Sequence, residues 1–316
     1  MDSVALVVGG LVVGVLVGLT GMGGGALMTP MLVLIFGVNP LAAVSSDLVA
    51  SLVMKPVGGL VHLRRGTVDK RLVLWLCAGS VPCAFSGVLV ARAFGDSDRV
   101  NEVIQLALGG ALLLAVAGMA ARAVVRLREQ SRARAAGRTE PAQTSGPVPI
   151  RPVLTLVIGA VGGLIVGMTS VGSGSLMIVA LLALYPMLTP RGLVGTDLVQ
   201  SVPLVAAASL AHLLFGDFQF GLTVTLLIGA LPGVYIGARL SSAAPSSVIG
   251  RAIGLALLVS GLKMLGASDA LLIASAVAGL VVCIPVWSLA APRITAWYRS
   301  RLVPERAGRL ATESAD

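Results

Sequence analysis

Two glycine-rich breaks in otherwise apolar sequence hold the groups best suited to bind an anion. The first reads Thr20-Gly21-Met22-Gly23-Gly24-Gly25, the second Thr169-Ser170-Val171-Gly172-Ser173-Gly174-Ser175. A helix that starts at such a break presents several unbonded backbone N–H groups, and its dipole favours negative charge there. Gly21, Gly23, Gly24, Gly25, Gly172 and Gly174 would let an anion reach the backbone, while Thr20, Thr169, Ser170, Ser173 and Ser175 add hydroxyl donors. Small residues also serve helix packing, and for one break alone that reading would win. Two breaks at equivalent positions, each followed by a half-length apolar segment, favour a substrate site. Neither is a nucleotide loop: no Gly-Lys-Ser/Thr follows, and no βαβ unit opens there.

Three charged residues interrupt the apolar segments. Asp47 and Asp197 each lie seven residues into a segment, ~10 Å of helical rise. Ser51 and Ser201 follow one turn later on the same face. A carboxylate at that depth is costly, so a proton- or ion-coupling role is natural, with a capping or packing role equally open. Lys55 has Val205 at its repeat-equivalent position and lies nine residues from Arg64, ~13 Å in. A cavity-facing cation there would suit an anionic substrate; ~12 Å of rise separates it from Asp47. His62 and His212 each stand alone near a helix end, as hydrogen-bonding residues rather than ligands. No His-Glu-x-x-His, paired-histidine or Ser–His arrangement is present, so the reading assigns no catalytic residue, metal or cofactor, and not an enzyme.

The elements that must position these groups are set by composition. Of 316 residues, 56% are hydrophobic and 12% charged, with mean hydropathy +0.97. That charge is too sparse to clothe a water-facing surface, so the lipid bilayer is the expected solvent. Apolar runs cover 4–19, 26–37, 40–63, 72–94, 101–125, 152–168, 175–187, 190–215, 219–240, 247–265 and 270–289. Most reach the ~20 residues that cross the hydrocarbon core as a helix. Runs 26–37 and 175–187 cover only ~18–20 Å and read as half-helices of re-entrant or discontinuous elements. The N-terminus lacks a basic region and a cleavage site, and reads as a first membrane segment. Cys77, Cys83 and Cys283 lie within apolar runs, without metal or disulfide spacing.

The net charge of +9 does not signal nucleic acid. Arg64, Arg65, Lys70 and Arg71, then Arg126 to Arg138, then Arg293 to Arg309 flank apolar runs, as cytoplasmic loops do. The chain then divides into a first membrane repeat at 1–125, a basic cytoplasmic linker at 126–151 and a second repeat at 152–265. An additional membrane helix at 266–289 and a basic cytoplasmic tail at 290–316 complete it. The halves match residue by residue. Gly18 to Met28 aligns with Gly167 to Met177, and an offset of 150 then pairs Pro40 with Pro190, Asp47 with Asp197 and Ser51 with Ser201. The same offset pairs His62 with His212, Gly79 with Gly229, Pro82 with Pro232 and Gly87 with Gly237. Loop 64–71 has four basic residues and its counterpart near 214–221 has none, so equivalent loops lie on opposite sides. The predicted fold is thus an all-α polytopic membrane protein of two inverted-topology repeats with discontinuous, Gly-broken helices.

In these residues the chain resembles the sulfite exporter TauE/SafE family of membrane permeases. The first copy of that family's unit corresponds to Gly18 to Pro30, Ala42 to Leu48, Gly66-Thr67-Val68-Asp69 and Gly79 to Gly87. The second corresponds to Gly167 to Met177, Gly195 to Leu198 and Gly229 to Gly237. Asp47 and Asp197 stand where a serine or small residue is more usual, and Ser173 interrupts the second glycine run. The resemblance implies a secondary transporter of sulfite, organosulfonates or related small sulfur anions, coupled to an ion or proton gradient. It implies a multi-pass protein of the cell membrane, with the small anion and the lipid bilayer as partners and no nucleic acid; homo-oligomerisation is compatible with it. An anion channel or a membrane-embedded enzyme is the alternative.

Overall fold

The computed structural model describes residues 3–20, 24–64, 68–95, 97–135, 149–172, 174, 176–185, 188, 190–240 and 246–278. Every regular element among them is helical. In chain order these are α1 (Ser3–Thr20), α2 (Gly25–Leu34), α3 (Pro40–Arg64), α4 (Lys70–Arg92) and α5 (Ser97–Ala135). They continue with α6 (Pro152–Thr169), α7 (Leu176–Leu184), α8 (Pro190–Phe215), α9 (Phe220–Leu240) and α10 (Ser246–Met264). A last helix, α11 (Asp269–Ala278), falls in a second unit of the chain. Among the described residues, five segments are long and apolar enough to cross a membrane: α4, Ser97–Ala121, α6, Gly192–Phe215 and α9. The helix α5 continues past its apolar part to Ala135, through the arginines that follow residue 125. Helices α2 and α7 have only ten and nine residues.

Burial is inverted relative to a water-soluble protein. Val4, Val153 and Phe220 are more than 70% exposed, whereas Thr29, Ser46, Asp47, Thr196, Gln200 and His212 are sealed inside. Lipid against the aliphatic surface and hydrogen bonds inside explain both halves of that pattern.

Glycine ladders hold the helices together. A Cβ on Gly10 would lie 2.7 Å from the Leu226 carbonyl oxygen, and one on Gly14 2.5 Å from that of Ala230. Gly18 abuts Val234 in the same way, and Gly229, Gly233 and Gly237 return the contact against Val7, Leu11 and Val15. Helices α1 and α9 thus touch backbone to backbone, running parallel. Gly159, Gly163 and Gly167 of α6 do the same against Leu76, Ser80 and Ala84 of α4. The contacts of Gly10, Gly14 and Gly18 have counterparts in those of Gly159, Gly163 and Gly167, so that Gly10 with Leu226 answers Gly159 with Leu76, whereas Cys83 stands where the other ladder has Gly233. Close backbone approach replaces a hydrophobic driving force that lipid cannot supply.

The matched helices α3 and α8 cross in opposite directions. Ser45, near the start of α3, lies with its Oγ 2.8 Å from Nδ1 of His212, near the end of α8. Asp69, just beyond α3, donates its N–H to Oγ1 of Thr196 near the start of α8, at 3.2 Å. Asp69 also caps α4, accepting from the N–H groups of Arg71 and Leu72. At the opposite end Arg92 of α4 donates to the carbonyls of Phe215 and Gly216, closing the C-terminus of α8.

Candidate functional site

The first break resolves at Gly24, the residue before α2. Its carbonyl accepts from Leu27 N–H at 3.1 Å and Met28 N–H at 2.9 Å. The Gly25 and Ala26 N–H groups precede those first helical bonds and face the start of the helix. Gly24 supplies no side-chain cap. Gly25 lies so close to the Ser170 carbonyl that no side chain fits between them. The two breaks, almost 150 residues apart in sequence, therefore meet directly.

The α3 carboxylate faces the same point. Asp47 is fully buried, and its Oδ2 accepts a 2.6 Å hydrogen bond from Thr29 Oγ1 of α2. No described donor completes a hydrogen bond to Oδ1, although the Ser170 hydroxyl lies near enough to the Asp47 carboxylate to favour its charged form as a donor. A Cβ placed on Gly24 would lie 3.6 Å from that Oδ1 and 3.7 Å from Ser51 Oγ, itself buried and without a hydrogen-bond partner among the described residues. The four-residue spacing of Asp47 and Ser51 stacks both on one helical face. Two open polar groups therefore converge on the first turn of α2.

Lys55 is 7% exposed, and both Asp197 and Asp47 lie within electrostatic reach of it, Asp197 more strongly. Ser201 donates to the Leu198 carbonyl of its own helix at 2.8 Å. The second break is built differently. Ser170 ends α6 with φ 58°, a left-handed conformation unusual for a residue with a side chain, and its N–H bonds Val166 O at 2.7 Å. Thr169 Oγ1 donates to Ile165 O at 2.6 Å and accepts from Val171 N–H, bracing the turn. Gly172 and Gly174 have φ of 120° and 108°, and the Gly172 carbonyl accepts from the Leu176 and Met177 N–H groups. Where α2 has Thr29, the aligned residue of α7 is Ile178, so that route to a carboxylate has no counterpart. The Thr20 side chain, Gly21, Gly23, Ser173, Ser175 and the His62 side chain lie outside the described residues.

The sequence gives His212 a hydrogen-bonding role without its partners, and Gln200 no role. His212 bonds Ser45 through Nδ1 and the Gly167 carbonyl through Nε2 at 2.7 Å. A carbonyl only accepts, so Nε2 carries a proton, and the end of α6 is tied to α8 directly before the second break. Gln200 accepts from Ser80 Oγ of α4 at 3.2 Å, with Nε2 left without a partner among the described residues. A glutamine one turn beyond Asp197 in an apolar helix was the available signal. Among the described residues no group of three His, Cys, Asp or Glu is placed to hold a metal ion. An apolar cleft of about 890 Å³ between α1, α2 and α10 is lined almost wholly by aliphatic side chains and lacks partners for an anion.

Comparison with known proteins agrees with this architecture. The family model described as "Sulfite exporter TauE/SafE" matches residues 6–264. A probable membrane transporter protein YjnA of Bacillus subtilis (strain 168) is 39% identical over 268 residues, covering 83% of this chain and 100% of that protein. Two others from the same organism, probable membrane transporter proteins YdhB and YunE, are 23% and 24% identical. They cover 80% and 84% of this chain, and 96% and 98% of their own lengths. No solved structure matches the chain.

Proposed function

Because this chain belongs to the sulfite exporter TauE/SafE family of membrane transporters, we propose that it is a secondary transporter of small sulfur-containing anions such as sulfite or organosulfonates. The anion would bind where α2 begins, at Gly24 and Gly25, with Ser51 and Ser170 beside it and Lys55 supplying positive charge. One observation carries this reading: a helix start deep in a membrane protein, faced by two buried polar groups with open bonding capacity, with the other break packed against it. Dipole and first-turn N–H groups make such a start an anion site.

Alternating access would come from two inverted-topology repeats rocking around this point. The antiparallel crossing of α3 and α8 and the matched ladders support that arrangement. The short α2 and α7 would be half-helices returning to the side from which α1 and α6 enter. Asp47 and Asp197 would exchange a coupling proton or ion, one for each exposed state. Loop 64–71, linker 126–150 and the C-terminal tail would face the cytoplasm and loop 214–218 the exterior, as the basic residues require.

Counterflow in proteoliposomes tests the function. Labelled sulfite should enter sulfite-loaded vesicles faster than empty ones, because a carrier exchanges; equal rates would indicate a channel. No uptake of any sulfur oxyanion or sulfonate would remove the substrate class. Single-cysteine labelling tests the topology: residues near Asp217 and Gly66 should react from opposite faces.

A further inference from the structure

The start of α2 sets two demands on a ligand, and they are not the same demand. The Gly25 and Ala26 N–H groups offer donors and need an acceptor, which any oxyanion supplies. Asp47 Oδ1 asks for the reverse. An ionised carboxylate only accepts, and this oxygen is buried, completes no hydrogen bond among the described residues although the Ser170 hydroxyl is a nearby donor, and lies beside Gly24. Its partner oxygen is held by Thr29 at 2.6 Å, which fixes the carboxylate plane. An anion without a donor would leave Oδ1 unsatisfied and add charge repulsion. One bearing an O–H or N–H group next to its anionic oxygens would satisfy both ends of the site. Lys55, within electrostatic reach of Asp47, offsets the second negative charge.

We infer that Asp47 is a specificity-determining residue that selects oxyanions carrying their own hydrogen-bond donor, such as a singly protonated oxyacid or an amino-substituted sulfonate, over donor-free anions of equal charge and size. The inference rests on the reading that α2 begins at the anion site, and it adds which anions that site accepts. Discrimination of this kind is stronger than that by shape, because the rejected ligand strands a buried polar group.

Sulfamate and methanesulfonate test this cleanly. Both are monoanions of nearly the same shape, and they differ by an amino group in place of a methyl. Titrated against the purified full-length protein by calorimetry, sulfamate should bind about tenfold more tightly or better, the scale of one hydrogen bond to a buried charge. In Asp47→Asn the amide oxygen keeps the Thr29 bond, and its NH2 replaces Oδ1 as a donor. The preference should collapse to parity or reverse in favour of methanesulfonate. Equal affinities in the parent protein would overturn the inference while leaving the anion site standing, and that comparison needs no variant to fold. An unchanged ratio in folded Asp47→Asn would overturn it as well. If neither anion binds the parent and sulfite also fails to bind, the site itself is wrong and the inference falls with it.

Discussion

The two halves of this molecule share a scaffold and differ in chemistry. Their glycine ladders correspond: Gly14 against Ala230 repeats as Gly163 against Ser80, and Gly18 against Val234 repeats as Gly167 against Ala84. Their polar interiors are not. The first half has Thr29 bonded to Asp47 and Lys55 reaching both carboxylates, whereas Ile178 and Val205 stand at the aligned positions of the second. The second half instead has Gln200, where the first has Ala50. Backbone packing tolerates only small residues and so stays alike in both halves. One lysine lies within electrostatic reach of two aspartates.

The largest expected effect comes from breaking the shared part. Gly167→Val places methyls into the Ala84 backbone of α4, a contact that no rotamer relieves. Overpacking there should cost about 3 kcal/mol and strip folded protein from the membrane fraction. Gly110→Val, where a Cβ meets nothing within 4 Å, should behave as the parent in fluorescence-detected size exclusion. Equal losses in the two variants would remove the ladder argument.

Next in size is the cation that the halves do not share. Among the described residues the buried charged side chains are Asp47, Lys55 and Asp197. Lys55→Met leaves two carboxylates facing each other's field, and should destabilise the protein by about 3 kcal/mol. Adding Asp197→Asn or Asp47→Asn should restore part of the melting temperature, because each removes a carboxylate that Lys55 offsets. No rescue by either would show that the lysine does not act through these aspartates.

The smallest effect expected is on stability, and the sharpest on coupling, when each aspartate is neutralised alone. Asp47→Asn and Asp197→Asn keep size but cannot titrate, and each exchanges one acceptor oxygen for a donor NH2. Each should still exchange substrate yet lose accumulation under an imposed pH gradient, read as vesicle uptake. Variants that accumulate sulfite as the parent does would assign the aspartates a structural role.

Much of this was legible in the residues. The run 190–215 coincides with α8 and 40–63 ends one residue short of α3, because apolar length is a strong signal and Pro40 and Pro190 mark both starts. Asp47 and Ser51 were recognisable from charge in an apolar helix and a four-residue spacing. Thr29 was not, since nothing in sequence tells a threonine packed in a half-helix from one aimed at a carboxylate 18 residues on. His212 looked like one of two equivalent histidines; that it ties Ser45 to Gly167 depends on α8 lying between α3 and α6, which periodicity does not encode. Thr169 read as a donor for substrate, while its hydroxyl is engaged by its own turn, a local bond that competes wherever a threonine ends a helix.

The account stands or falls on the space in front of Gly24. That residue has ordinary right-handed helical backbone, so a side chain there costs no strain, and its nearest neighbours are Met54 Cε at 3.3 Å, Asp47 Oδ1 and Ser51 Oγ. Gly24→Val should fold with a melting temperature close to the parent, since only the flexible end of Met54 must yield, and fill the place assigned to the anion. Labelled sulfite counterflow in proteoliposomes, normalised to reconstituted protein, should fall at least about tenfold, the loss of one well-placed set of hydrogen bonds to a charge. Counterflow at the parental rate in that folded variant would mean that the anion passes elsewhere and that α2 does not begin at the substrate site.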